Sequence, residues 1–227
     1  TERLVTAFRA QGHTVAVVAV DPTSPFSGGA LLGDRIRMES VALDPGVFIR
    51  SMATRGSLGG LATSTREVCD VLDAAGFDRI LVETVGVGQS ELAVSRMADS
   101  SLLLLVPESG DGIQTLKSGV MEVADLFVVN KADRPGADKL RQEIEITLGI
   151  RRGNAFRHVP AHHGFKARSK AESEALAAIA DAEWKHPVLA TIAAKGEGIT
   201  EVVAALDAHR AWLAASGTMR ERRRRRL

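Results

Sequence analysis

A strand-sized apolar run that ends in a carboxylate and passes directly into glycines limits the folds open to this chain more than any other feature. The run extends from Ile80 to Glu83, and Gly86 and Gly88 follow it closely. A strand gains nothing from glycines, whereas a tight loop that lets a ligand approach the backbone needs them. In open α/β folds, ligands bind beside the carboxyl ends of parallel strands. The run therefore indicates a binding loop at the edge of a sheet, although a buried strand with a polar end would look the same.

Apolar runs of strand length alternate with segments of helical pattern along the whole chain. The predicted strands cover residues 14–20, 47–50, 80–83, 101–106, 126–129 and 187–191. The predicted helices cover residues 1–11, 63–75, 90–97, 117–123, 136–148 and 199–214, and a glycine-rich connection covers 51–60. In the second helix, Val68, Val71 and Leu72 are predicted to lie on one side. This alternation predicts an α/β fold with a doubly wound, mostly parallel sheet.

Composition is that of an ordinary globular protein and argues against several kinds of partner. The 227 residues are 45% hydrophobic and 25% charged, which suits one large domain with its own core. A net charge of +1 gives no overall field for nucleic acid, and 4% aromatic content without tyrosine argues against stacking of unpaired bases. The single cysteine, Cys69, excludes an internal disulfide framework, and no apolar run has membrane-spanning length. We therefore expect a cytoplasmic protein with no nucleic-acid and no membrane partner.

Acidic side chains follow two of the predicted strands. Asp21 ends the first strand, Glu83 ends the third, and Asp34 lies in the polar segment after the first strand. Because the carboxyl ends of parallel strands meet at one edge of a sheet, we expect these side chains to lie close together. Carboxylates are the ligands that Mg²⁺ prefers, completed by water and phosphate oxygens, and Asp34 could reach the metal only when a γ-phosphate is present. Taken alone, each aspartate is more simply explained as a turn or helix-capping residue.

A second polar segment, Asn130-Lys131-Ala132-Asp133, directly follows the predicted strand at 126–129. Asn-Lys-x-Asp after a strand is the guanine-reading signature of GTPases. Guanine presents adjacent N1–H and N2–H donors that Asp133 could accept together, and adenine lacks that pair. Lys131 could lie over the base or brace the phosphate loop, and Asn130 could tie neighbouring loops together. We also expect the backbone N–H of Ala193, after the last strand, to bind guanine O6.

In these stretches the chain resembles the MeaB/ArgK-type family of P-loop GTPases, the methylmalonic aciduria type A protein family. The resemblance is carried by Val18–Pro22, Gly28–Met38, Glu83–Glu91, Met121–Asp125 and Asn130–Asp133. It implies a SIMIBI-type G domain that hydrolyses GTP to GDP with Mg²⁺ as cofactor. It further implies a chaperone that protects an adenosylcobalamin-dependent acyl-CoA mutase, of the methylmalonyl-CoA mutase type, and gates its cofactor loading. A cobalamin adenosyltransferase is a further candidate partner.

The resemblance also implies roles for individual residues. Asp34–Met38 matches a first switch, Gly86–Glu91 a second, and Val106–Lys117 a third that relays the nucleotide state to the mutase. The matching site residues are Asp21, Asp34 and Glu83 for magnesium, Gly86, Asn130, Lys131, Asp133 and Ala193 for the nucleotide, and Asp34, Gln114 and Lys117 for catalysis.

The chain departs from the family pattern at both ends and in one loop. It has no Gly-x-x-x-x-Gly-Lys-Ser/Thr motif and no Gly-Lys pair, so we expect it to begin just past its phosphate-binding loop and to bind nucleotide poorly without it. Ile192 stands where relatives often carry serine. We expect residues 1–215 to form the GTPase domain without its P-loop. Residues 216–227 would begin a C-terminal helical extension through which relatives form homodimers.

Three other functions stay open from the sequence. A metal-insertion GTPase for nickel enzymes has the same fold, although no Cys/His-rich delivery segment is evident. A protein kinase serving amino-acid transport would need a kinase glycine-rich loop and a His-Arg-Asp catalytic loop, and the sequence contains neither. A scaffold relative with poor nucleotide binding would follow if the whole protein lacked the phosphate loop.

Two clusters are more simply explained without a binding site. His158, His162 and His163 are expected in a polar surface loop rather than around a metal. The basic run of Arg220 and Arg222–Arg226 is expected to be a solvated helix face or a contact to an acidic partner, rather than a nucleic-acid site.

Overall fold

Two three-stranded parallel sheets form the centre of the computed structural model, which describes residues 1–21, 38–53, 58–84, 97–107, 120–151 and 183–224. The strands are β1 (Val15–Asp21), β2 (Val47–Ala53), β3 (Arg79–Thr84), β4 (Leu102–Leu105), β5 (Leu126–Asn130) and β6 (Val188–Thr191). Their order is β2-β1-β3 in the first sheet and β4-β5-β6 in the second. Every pairing among these strands is parallel, which confirms the predicted α/β class.

Helices pack against the faces of these sheets. The described helices are α1 (Glu2–Ala10), α2 (Glu39–Ala42), α3 (Leu58–Ala74), α4 (Ala137–Arg151), α5 (Ile199–Ala215) and α6 (Thr218–Arg224). On one face of the first sheet, Val5 and Phe8 of α1 pack with Val15 and Val17. On the other face, Leu72 of α3 packs with the alternate residues of β1. Burial on both faces explains why the sequence of β1 is apolar without interruption before Asp21.

The second sheet has its own core, on the face covered by α4. The buried residues of α4 recur every three or four positions, so one side of the helix faces the sheet. They are Ala137, Leu140, Ile144 and Leu148. Phe127 and Val129 of β5 lie at the centre of this cluster, each at most 1% exposed.

Helix α1 runs antiparallel to β1, because only residues 11–14 separate the two elements. At the end of the helix, Arg9 pairs with Asp44 at 2.9 Å and its Nη1 donates to the carbonyl of His13 at 2.7 Å. Asp44 and His13 come shortly before β2 and β1, at the edge formed by the amino ends of the strands. The first turn of α1 therefore points towards the opposite edge. We call these edges the amino rim and the carboxyl rim.

A buried carboxylate at the amino rim of the second sheet binds the last helix. Asp125 is 5% exposed and accepts two hydrogen bonds from Arg222, at 3.0 and 2.8 Å. Beside it, Arg223 pairs with Asp99 at 2.8 Å. The expectation of a solvated face or a partner contact is therefore wrong for Arg222, which is partly buried against Asp125 of this chain. Arg223 binds Asp99 of this chain, but its side chain is 52% exposed and still lies on a solvated face. Asp125 and Asp99 therefore partly neutralise the basic run, although both lie about 100 residues or more before it in the sequence.

His209 of α5 is fully buried beside this carboxylate. Its Nδ1 lies 2.7 Å from Ser100 Oγ and its Nε2 lies 3.5 Å from Asp125 Oδ1. The ring lies against Trp184 and Trp212, with centroid distances of 4.6 and 5.8 Å. Two aromatic neighbours and one hydroxyl partner favour the neutral imidazole at this position.

The structure extends two predicted elements into the glycine-rich connection at 51–60. Strand β2 continues to Ala53 and α3 begins at Leu58, so Gly59 and Gly60 lie in the first turn of the helix. Glycine is better tolerated at a helix terminus than in a helix interior, so Gly59 and Gly60 are compatible with the start of α3. The segment at 90–97 is described only at residue 97, and of the predicted helix at 117–123 the described residues 120–122 form a 3₁₀ turn.

The prediction that Val71 lies on the same side of α3 as Val68 and Leu72 is wrong, because Val71 is 68% exposed. Thr65 and Leu72 are buried and Val68 is partly buried. At about 100° per residue, these three lie within roughly 60° of one another, and Val71 lies about 100° from Leu72. Val71 therefore lies outside the buried face of α3 and is exposed to solvent.

No helix within the described residues has both the length and the apolar composition needed to cross a bilayer.

We predict that His209 makes the protein less stable in mild acid. Burial lowers its pKa below the ordinary value; Asp125 and Asp99 oppose this effect, and Arg222 and His186 add to it. As the pH falls through about 6.5, the unfolded chain takes up a proton that the folded chain resists. The free energy of unfolding should therefore fall below that pH and level off once the folded state is also protonated.

Urea denaturation at pH 7.5 and pH 5.5 measures this effect. In His209→Phe, which keeps a ring at this position but cannot titrate, the loss of stability between the two pH values should be smaller. An equal loss in the variant and the parent protein would show that His209 is not the group responsible.

Candidate functional site

The side chain of Asn130 joins two loops at the carboxyl rim of the second sheet. Asn130 ends β5 and is the register partner of Thr191, which ends β6. Its Oδ1 accepts hydrogen bonds from Thr191 Oγ1 and from the Ala193 N–H, both at 3.1 Å. The Ala132 N–H donates to the Thr191 carbonyl at 3.0 Å. We call residues 131–136 the β5 loop and residues 192–198 the β6 loop; Asn130 ties them together.

The β5 loop places a lysine and a carboxylate at the surface. Lys131 has a φ of 56°, and among the described residues no other non-glycine residue has a positive φ. This left-handed conformation costs an L-residue roughly 1–2 kcal/mol. Asp133 is 40% exposed, and its Oδ2 lies 3.9 Å from Nζ of Lys195 in the β6 loop. An exposed pair at this distance adds little stability, so the Asp133 carboxylate stays available to a ligand.

The β6 loop closes on itself and then leads directly into α5. Ile192 and Glu197 exchange two backbone hydrogen bonds, with N···O distances of 3.1 and 3.3 Å. Gly198 follows with a φ of 77° and precedes the first residue of α5. A Cβ at position 198 would lie 2.3 Å from the Ala190 carbonyl oxygen and 3.1 Å from Thr191. Glycine is required there because the start of α5 touches the backbone of β6.

Two acidic residues come to the carboxyl rim of the first sheet on neighbouring strands. Glu83 of β3 pairs with Ala19 of β1, two positions before Asp21 ends that strand. Glu83 is half-buried, and only the backbone of Asp21 belongs to the described part of the chain. Carboxylates at the ends of adjacent strands suit Mg²⁺, which binds hard oxygen ligands and keeps several waters. Among the described side chains, no three potential ligands converge into a complete metal site.

The other predicted site residues lie outside the described residues. They are Asp34, Gly86, Gln114 and Lys117, and His158, His162 and His163 lie outside them as well.

A contact from α1 brings the two carboxyl rims to the same side of the protein. Arg3, in the first turn of α1, donates from Nε to the Ala193 carbonyl at 3.0 Å and from Nη2 to the Ala194 carbonyl at 2.9 Å. The first turn of α1 points to the carboxyl rim of the first sheet, and the β6 loop belongs to that of the second. Glu83 and Asp133 therefore share one side of the molecule.

Sequence reasoning missed Arg3, Lys195 and the role of the Thr191 hydroxyl. Arg3 and Ala193 are 190 residues apart, so no local pattern marks the contact. The hydroxyl could have been found, because the last polar residues of two adjacent parallel strands lie at the same level. Lys195 has no signal beyond its place in the β6 loop.

Comparison with known proteins gives one family over the whole chain. The family model for the methylmalonyl-CoA mutase-associated GTPase MeaB matches residues 1–227. A Pyrococcus abyssi protein named as a GTPase is 46% identical over 226 residues, which are 100% of this chain and 62% of the relative. The mitochondrial methylmalonic aciduria type A homolog of Mus musculus is 38% identical over 213 residues, which are 94% of this chain and 46% of the relative. The chain thus spans less than two thirds of the length of these relatives.

Solved structures share the fold. The crystal structure of an LAO/AO transport system kinase matches with a TM-score of 0.64 and 28% identity, over 98% of this chain and 58% of that chain. HypB from Helicobacter pylori, in complex with nickel, matches with a TM-score of 0.55 over 92% of this chain and 80% of that chain. Its identity is 15%, so this second likeness concerns the fold alone. Both matches agree with the fold class predicted from the sequence.

We predict that Gly198→Ala destabilises the protein by about 3 kcal/mol or more. The added methyl group meets a backbone oxygen and must also adopt a positive φ. Gly196→Ala is the matched control: its φ is 79°, and nothing lies within 4 Å of the added Cβ. The control should lose only about 1–2 kcal/mol for its backbone conformation.

Denaturant unfolding of both variants measures the difference. Equal losses of unfolding free energy in the two variants would mean that a Cβ at position 198 does not clash with the backbone of β6.

Proposed function

Because this chain belongs to the methylmalonyl-CoA mutase-associated GTPase MeaB family, we propose that it is the core of a GTP-hydrolysing chaperone for an adenosylcobalamin-dependent acyl-CoA mutase. The observation that carries the proposal is the pair of loops that Asn130 holds together, with the Asp133 carboxylate exposed on one of them. A site assembled before its ligand arrives binds without the entropic cost of ordering its loops. Guanine is the ligand that the chemistry of these loops favours.

The polar groups of the two loops complement the edge of guanine. Asp133 can accept from N1–H and N2–H together, which adenine cannot offer. The Oδ1 of Asn130 is occupied by two donors of its own chain, so its Nδ2 is the group left to donate to a purine nitrogen. The Ala193 N–H donates to Asn130 in this arrangement, so a bond to guanine O6 would have to be shared or replace that contact. We retain Ala193 and Lys131 in the proposed base site.

We propose that the carboxyl rim of the first sheet serves the phosphates. Bound Mg²⁺ would supply positive charge beside the phosphate oxygens. In hydrolysis, water attacks the γ-phosphorus in line and the bond to the β–γ bridging oxygen breaks, giving GDP, phosphate and a proton. The protein positions the water and stabilises the developing charge. The residues that we assign are Asp21, Asp34 and Glu83 for magnesium, Gly86 for the nucleotide, and Asp34, Gln114 and Lys117 for catalysis.

The proposed partner is a mutase of the methylmalonyl-CoA type, with a cobalamin adenosyltransferase as a further candidate. Support comes from the family's description and from the name of the mouse relative. The full-length protein would be a cytoplasmic homodimer whose GTP cycle gates transfer of the cobalamin cofactor. Helix α6, which follows a break at Ser216 and Gly217, would begin the extension that pairs two subunits.

Nickel insertion, the alternative within this fold, is not favoured by any described contact. The likeness to nickel-bound HypB concerns the fold alone. The kinase label belongs to the solved relative. A direct nickel-binding assay on the full-length protein would distinguish the two GTPase functions.

We predict that Asp133→Asn shifts the preference of the full-length protein from guanine to xanthine nucleotides. The amide can donate to xanthine O2 but cannot accept two guanine donors, so the preference ratio should change by on the order of a hundredfold. Competition between GDP and xanthosine diphosphate measures the ratio. Asp138→Asn, the same change at an exposed aspartate in the first turn of α4, is the control and should keep the GDP preference. Retained GDP preference in Asp133→Asn would remove Asp133 from the base site.

We predict that an adenosylcobalamin-dependent methylmalonyl-CoA mutase from the same cell accelerates GTP hydrolysis by the full-length protein severalfold, because the switches would be reordered on binding. Phosphate release with increasing mutase concentration measures the effect, and an acyl-CoA enzyme without cobalamin is the control. If no acyl-CoA mutase of that cell changes the rate, the partner is wrong, whereas the GTPase assignment would stand.

A further inference from the structure

The first turn of α1 carries an arginine whose position is unfavourable for the helix itself. Arg3 lies at the second helical residue, where the helix dipole disfavours a positive charge. The side chain is exposed, so burial of its stem does not explain its place. It instead donates to two carbonyls of the β6 loop, those of Ala193 and Ala194, at 3.0 and 2.9 Å.

This contact fixes the orientation of two consecutive peptide groups. A guanidinium is planar, and its donors point in fixed directions, so two carbonyls bound together cannot rotate independently. The N–H of Ala193 is meanwhile held by Asn130. The Ala193 residue is thus fixed through its N–H by β5 and through its carbonyl by α1.

Helix α1 is itself a firm support for this contact. Val5 and Phe8 are buried at 0% and 2% exposure in the core of the first sheet. Glu2, next to Arg3, accepts a hydrogen bond from Ser40 of α2, and Arg9 anchors the far end to Asp44. Arg3 therefore connects the β6 loop to an element that the first sheet holds in place.

We infer that Arg3 is a positioning residue that presets the β6 loop and thereby determines affinity and selectivity for guanine nucleotides. The inference deepens the proposed function and depends on it, since the β6 loop is the proposed neighbour of the base. Arg3 touches neither base nor phosphate in this scheme; it acts through the Ala193 and Ala194 peptides. Without it, the loop samples other orientations, and the nucleotide must order it on binding.

The test uses the full-length protein with Arg3→Ala and Arg3→Lys. We expect Arg3→Ala to raise the Kd for GDP and the KM for GTP by about tenfold each, as loss of a charged hydrogen-bond donor to the loop warrants. The kcat should stay within about twofold of the parent, because none of the residues assigned to magnesium or to catalysis is changed. Arg3→Lys should fall between the two, since an ammonium can hold one carbonyl without fixing both.

Arg9→Ala is the matched control on the same helix. It removes a guanidinium that likewise binds a loop, through Asp44 and the His13 carbonyl, but at the amino rim. It should lower the Tm without changing the Kd for GDP, because Val5 and Phe8 still hold α1 against the first sheet. The Kd for ADP, measured alongside, should change little in Arg3→Ala, so the discrimination between guanine and adenine should narrow.

A Kd for GDP in Arg3→Ala equal to that of the parent would overturn the inference, and so would equal weakening of GDP and ADP. A fall in kcat and Tm with unchanged KM would also overturn it, because that pattern describes a structural role only. If the parent protein itself binds no guanine nucleotide, the proposed function fails and this inference with it. A parent that binds GDP and an Arg3 variant that binds it equally well would contradict the inference alone.

Discussion

The rest of the site depends on one amide oxygen, Oδ1 of Asn130. It accepts two hydrogen bonds, one from the hydroxyl of Thr191 at the end of β6 and one from the backbone N–H of Ala193 just after the strand. Those two bonds hold the carboxyl end of β5 and the chain that leaves β6 side by side. The parallel register of β5 and β6 makes this possible, because it sets Asn130 and Thr191 at the same level. A shift of one residue in that register would turn the Asn130 side chain to the other face of the sheet.

The sequence predicted most of the fold because buried parallel strands leave an unambiguous pattern. Runs such as Val15–Val20 are apolar at every position, as strands buried on both faces must be. Parallel strands also need crossover connections, and the predicted helices between the runs supply them. Asn130 could be placed at the end of a strand for the same reason, and Asp133 in the loop that begins at the next residue. What local pattern could not supply was any contact between distant segments. Arg3 with the β6 loop and Arg222 with Asp125 are examples, because nothing near either residue in the sequence identifies its partner.

The two rims of the second sheet use charge in different ways. At the carboxyl rim, Asp133 and Lys195 are both exposed and weakly coupled, which leaves the carboxylate free to bind. At the amino rim, Asp125 is buried and receives a bidentate guanidinium together with the Ser101 N–H. Removal of the guanidinium would leave the buried Asp125 carboxylate without its cation and would destabilise the folded chain. One rim therefore has the properties of a binding surface, and the other fastens the C-terminal helices.

The left-handed backbone of Lys131 limits which residues can occupy that position of the β5 loop. Glycine, asparagine and aspartate enter that conformation with little strain, whereas β-branched side chains do so only rarely. A substitution to valine, isoleucine or threonine would therefore be disfavoured by the main chain before any nucleotide is present. The main chain of the β5 loop thus restricts the choice of residue at position 131 independently of any ligand.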